Sequence, residues 1–235
     1  MTQPGQTWGL LPRVLIALLV SVLISLWCWW ATGAGLGLFL GTTLLMAILL
    51  PSMVLAADGI GRLAMLAAAV CGMSLTWLAA TQWADVTPLE WIRCTIVLGA
   101  MAWGIAGVVS LLVAARLPGS LAAGLTVVIG LLWLTWPVWL SHALTQPLVN
   151  WLVPANPCFA INSVLKHLGT WDRAPLAYNT LTILNQDVSY RLPTTIWPAM
   201  LLHLAIGAPG MWLALRDKPQ PPHAAKATAS PPPPH

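Results

Sequence analysis

Six stretches of this chain, 12–32, 35–56, 62–83, 92–115, 120–143 and 194–215, are each long enough to cross a bilayer as a helix, and none has an acidic residue in its interior. Hydrocarbon offers backbone N–H and C=O groups no partner, and a helix satisfies them within one segment. The pattern predicts an all-α, polytopic membrane helix bundle with six transmembrane helices. Composition excludes the main alternative. A charged share of 7% and a mean hydropathy of +0.80 do not fit a soluble domain, where about a quarter of residues are charged. In segment 12–32 Arg13 precedes an apolar run, as a basic residue does in a secretory signal peptide, but the segment's length and the bulky Trp29-Trp30 pair read as a retained span.

The net charge of +4 comes from bases scattered at span ends, not from a basic patch, so nucleic acid is excluded as a partner. With the N-terminus in the cytoplasm, Arg13, Arg62, Arg116, Arg216, Lys218 and Lys226 lie inside, against Arg93, Lys166, Arg173 and Arg191 outside. The positive-inside rule then favours both termini in the cytoplasm, and the expected location is the inner membrane. This orientation sends Trp27, Trp29, Trp30, Trp77, Trp83, Trp91, Trp133, Trp136, Trp139, Trp151, Trp171 and Trp197 toward the outer face, and only Trp8, Trp103 and Trp212 depart from it. An indole suits headgroup depth because an apolar ring carries a polar N–H.

Small residues mark helix contacts, because helices in lipid associate by close backbone approach. Gly33, Gly37 and Gly41 form one such stripe, Ala102, Ala106 and Ser110 a second, and Ala199, His203, Gly207 and Gly210 a third. Packing within the bundle accounts for them more readily than a homodimer seam.

The connection 144–193 is long for a compact protein and reads as an organised outer cap with two short helices that lie at the interface or dip into it as re-entrant helices resting on the bundle. Asn156 before Pro157 is a strong helix start. Cys158, Ile161, Leu165 and Leu168 recur at helical spacing, and Gly169 supplies a stop, which predicts an amphipathic helix over 157–168. A second is expected from Pro175 to about Asn185. Pro137, among Trp133, Trp136 and Trp139, should kink the fifth span. The tail 217–235, with Pro219, Pro221, Pro222 and Pro231 to Pro234, is expected to be an extended, disordered cytoplasmic segment.

Residues that could carry chemistry are sparse. His203, about 13 Å into the last span, is an intramembrane polar group whose plainest reading is a neutral imidazole bonded to a neighbouring helix. His142, His167, Asp172 and Asp187 are outer-face residues whose spacing matches no hydrolase or metal signature, Cys28, Cys71, Cys94 and Cys158 match no metal-ligand spacing, and no cofactor or metal is expected. A Cys94–Cys158 bridge is open if the outer compartment is oxidising. The chain has no phosphate-binding glycine loop, so transport would draw energy from another subunit.

Six spans with cytoplasmic termini, and the Asn156-Pro157 step opening a short helix between the fifth and sixth, together resemble the permease subunit of exporter-type ATP-binding-cassette transporters. That resemblance implies a non-enzymatic membrane permease working as a dimer with separate ATP-binding subunits and moving an apolar or amphipathic substrate. It implies coupling to the ATPase through Asp58, Arg62 and Arg116, and an outer gate or cap built from Trp136, Trp139, Trp151, Asn156, Pro157 and Trp171. The connection Asp58-Gly59-Ile60-Gly61-Arg62 is short and poor in charge for a coupling segment. The alternative is a non-catalytic membrane anchor or assembly subunit of a complex.

Overall fold

The computed structural model describes residues 7–139, 144–168 and 191–216, all helix or short connection. Six long helices are α1 (Thr7–Thr32), α2 (Leu36–Leu55), α3 (Ile60–Ala80), α4 (Pro88–Ala114), α5 (Gly119–Trp139) and α8 (Trp197–Arg216). Between α5 and α8 come α6 (Gln146–Ala155), α7 (Pro157–Val164) and a 3-10 turn at Lys166–Leu168. Each long helix is apolar and long enough to cross a membrane, so the protein is a polytopic all-α bundle. With six crossings among the described residues, the start of α1 and the end of α8 share one face, the terminal face; α6 and α7 lie toward the opposite, loop face.

Local chemistry sets the ends. α4 starts at Pro88, four residues before the expected span, because Thr87 and Glu90 form a reciprocal capping box: the Thr87 hydroxyl accepts from the Glu90 N–H, and the Glu90 carboxylate accepts from the Thr87 N–H at 2.8 Å. α4 ends with Arg116 at φ 66°, where the Leu117 N–H reaches the Leu112 carbonyl and the Arg116 N–H the Val113 carbonyl. That is a Schellman closure with arginine at the position glycine usually fills.

α2 packs against α1, α3, α4, α5 and α7 and occupies the middle of the bundle. Trp77 of α3 is fully buried on it, its indole N–H donating to Thr42 Oγ1 at 2.8 Å and its ring 4.8 Å from Phe39. Two parallel pairs flank this centre. α3 meets α1 where a Cβ at Gly72 would stand 2.8 Å from the Leu18 carbonyl. α4 meets α8 along Gly104 against His203 and Gly107 against Gly207 and Gly210, with no room for a Cβ at Gly107, Gly207 or Gly210. The second and third small-residue stripes thus serve packing inside the chain: Ala102, Ala106, Ser110, Ala199, His203, Gly207 and Gly210 are all buried. In the first stripe, Gly33 instead forms the α1–α2 turn at φ 75°, and Gly41 approaches Cys28.

The region after α5 departs most from expectation. α6 is a helix the sequence reading left out; Val149 and Val153 face the protein while Leu148 and Trp151 face outward. The amphipathic helix expected over 157–168 is shorter, and of the two placements open to it the structure shows the deeper one, dipping in to rest on the bundle. α7 is sunk between α2, α4 and α6, burying Phe159, Ala160, Ile161 and Asn162, with Leu165 just beyond its end. Surrounded on several sides, it has no solvated face to keep polar. The second interfacial helix at 175–185, Trp171 and the tail 217–235 lie outside the described residues, and the described part of α5 runs through Pro137 to Trp139. Cys94 and Cys158 are free thiols, so the bridge left open above is not formed.

Candidate functional site

α5 leans on α2 while α8 leans on α4, and between them opens a cleft of about 260 Å³ with α4 as its floor. Met101, Ile105 and Val108 line the floor, Ile129 one wall and Ile206 the other, so it offers almost pure hydrocarbon. Thr126 lines it too, but its hydroxyl is turned back to the Ala122 carbonyl at 2.8 Å.

Polar groups gather at the end of this cleft toward the loop face. His203 lies six residues into α8, about 9 Å along the axis and so nearer the loop face than the midplane position expected. Its Nδ1 is 2.7 Å from the Ala199 carbonyl, and the Trp133 indole N–H donates to its Nε2 at 3.2 Å. A carbonyl can only accept and an indole N–H can only donate, so the ring is the neutral Nδ1–H tautomer with both nitrogens engaged. Such an imidazole ties α8 to α5 and has no free lone pair for base catalysis.

The connection continues into the re-entrant element. Asn156 is fully buried at the junction of α6 and α7. Its Oδ1 accepts from the Cys158 N–H at 2.8 Å, capping α7, and its Nδ2 donates to the Trp133 carbonyl at 2.9 Å and the Leu134 carbonyl at 3.4 Å. Position 137 is proline, so no backbone N–H four residues on can reach the Trp133 carbonyl. In lipid such a freed group must be met from a neighbouring element. Beside it, buried Trp136 packs its ring 5.9 Å from Phe159 of α7. The far end of α7 is held by His167, whose Nε2 bonds the Asp85 carbonyl and whose Nδ1 is 3.4 Å from the Glu90 carboxylate.

Of the residues assigned to the outer cap, Trp136, Asn156 and Pro157 are thus buried together, and His203 joins them through Trp133. Trp151 does not; it is 80% exposed on α6 and belongs to an aromatic belt with Trp27, Trp30, Trp83 and Trp197. Trp139 ends the described part of α5. Trp133, named beside Pro137 in the sequence but not assigned to the cap, belongs to this cluster through the carbonyl that the proline four residues later leaves without a donor.

At the terminal face, Arg62 is buried rather than presented. Its Nε donates to the Ala57 carbonyl at 3.1 Å and its Nη1 to Ser110 of α4 at 3.1 Å, while Asp58, largely exposed, stands 3.9 Å off. Arg13 of α1 donates to the Ala56 carbonyl at 2.7 Å. Two guanidiniums therefore satisfy the carbonyls of Ala56 and Ala57 just past the end of α2, where the helix dipole favours cations. Arg116 is exposed at the end of α4 and does not join them. Among the described residues no three His, Cys, Asp or Glu side chains assemble as a metal site. No family model matches the chain, and no curated protein or solved structure matches it.

Proposed function

We propose that the protein is a membrane permease subunit energised by a separate ATPase, with its termini in the cytoplasm, and that it moves an apolar or amphipathic substrate. The observation that carries this reading is the apolar cleft between α4, α5 and α8, closed toward the loop face by Trp133 and His203 and braced there by the inserted α7. An apolar body can lie against Met101, Ile105, Ile129 and Ile206 without stripping water from any polar wall. The α2–α3 connection would meet the ATPase through Asp58 and Ile60, both exposed. A second copy would complete the transporter.

Purification in mild detergent followed by reconstitution tests this. A copurifying ATPase whose turnover rises with an apolar amphiphile, and loses that response in Ile129→Trp, which fills the cleft, is the expected result. Absence of any ATPase partner sinks it. The anchor or assembly reading is favoured by one observation, the fastening of the α2–α3 connection by Arg13 and Arg62. It expects stable partners but no amphiphile-dependent turnover.

A further inference from the structure

A second pocket, of about 410 Å³, lies at the loop face between the starts of α4 and α8 and the end of α7. It differs from the cleft in having both polar and apolar walls. Ile92 and Ile96 of α4 and Met200 of α8 supply an apolar side; Arg93, Thr194 and Thr195 supply polar groups. Arg93 is exposed, and no carboxylate among the described residues pairs with it. Nearby Glu90 is committed to the α4 cap and His167. α4 and α8 run parallel, so both send their positive N-terminal ends to this face. Trp197, 59% exposed at the rim, marks headgroup depth. A cation and hydroxyls above an apolar groove, at the level where headgroup gives way to acyl chain, match one abundant kind of molecule.

We propose that this pocket binds an anionic phospholipid, its phosphate on Arg93 beside Thr194 and Thr195 and its acyl chain along Ile92, Ile96 and Met200. The proposal is independent of the transport reading, since an anchor subunit could carry the same site. One guanidinium at an anionic surface is worth about fivefold in binding. Arg93 and Ile96 are both exposed and lie outside the α4–α8 seam, so the bundle tolerates their replacement.

The test is lipid retention by the full chain, read by native mass spectrometry after exchange into detergent containing equal phosphatidylglycerol and phosphatidylcholine. Wild type should retain phosphatidylglycerol in preference. Arg93→Gln should lower that preference about fivefold, Arg93→Lys should keep most of it, and Ile96→Trp, which blocks the groove and leaves the cation, should lose it as well. Arg191→Gln, at a residue that lines the adjoining pocket on the other side of Thr194 and not this one, should behave as wild type. The proposal is overturned by equal retention of both lipids in wild type, by an unchanged preference in Arg93→Gln or Ile96→Trp, or by release of the lipid with millimolar inorganic phosphate, which would mark a soluble-anion site.

Discussion

The side-chain amide of Asn156 donates at 2.9 Å to the carbonyl of Trp133, which Pro137 leaves without its usual N–H donor. One residue thereby repairs α5 and caps α7. Asn156→Ala should lower stability by about 2 kcal/mol, combining a lost N-cap with an unmet buried carbonyl. In a Pro137→Ala background α5 can supply its own N–H, so the same substitution should cost measurably less. Reversible unfolding in mixed micelles across this double-mutant cycle measures the coupling; strictly additive effects would refute the repair.

The two tryptophans assigned to the cap should separate in a proteolysis assay. Trp136→Ala removes the ring against Phe159 and should expose 157–168 to cleavage, with a stability loss of about 3 kcal/mol. Trp151→Ala, on the exposed side of α6, should leave the cleavage pattern unchanged. Equal protection in both variants would mean that Trp136 too is only belt.

Arg62 and Asp58 should behave as unlike residues despite being adjacent in the coupling assignment. Arg62→Ala strips donors from Ala57 and Ser110 in a buried setting and should destabilise by about 2 kcal/mol. Asp58→Asn, at an exposed and distant ion pair, should change stability by less than about 0.5 kcal/mol. If Asp58→Asn abolishes ATPase copurification while folding is intact, Asp58 is a docking residue; if Arg62→Ala alone does so, the connection's shape is what the partner reads.

Burial pushes the Cys158 thiol up to about 12. The thiolate is the reactive form, so its population should rise about tenfold per pH unit until that value, and maleimide labelling near neutrality should be slow. Cys158 is half-buried, and labelling at pH 7 as fast as that of a fully exposed cysteine would contradict the raised value. Lys166→Cys, at an exposed position just past α7, is the better reporter of sidedness. Its labelling by an impermeant reagent in intact cells is expected, and labelling only after permeabilisation would invert the orientation.

Much of the architecture was legible because single segments carry it. Length and uninterrupted apolarity mark each crossing, and Asn156-Pro157 marks the start of α7 from adjacent residues alone. The start of α4 was also written locally, in Thr87-Pro88-Leu89-Glu90, but hydropathy weighs apolar runs and passed over it. Small residues at helical spacing on α8 showed a contact face without saying what met it.

The sequence by itself therefore determined the class of protein, the number of crossings and the sites of helix caps, since backbone satisfaction in lipid and capping are decided within a few neighbouring residues. Only the tertiary structure decided that α4 is the partner of α8, that α7 sits between α2, α4 and α6, and that Arg62 faces inward. The same step separated Trp136 from Trp151 and joined His203, Trp133 and Asn156 across 70 positions of chain. Those outcomes depend on which surfaces fit at close range, and local periodicity, being the same for a helix face against lipid or against another helix, does not distinguish them.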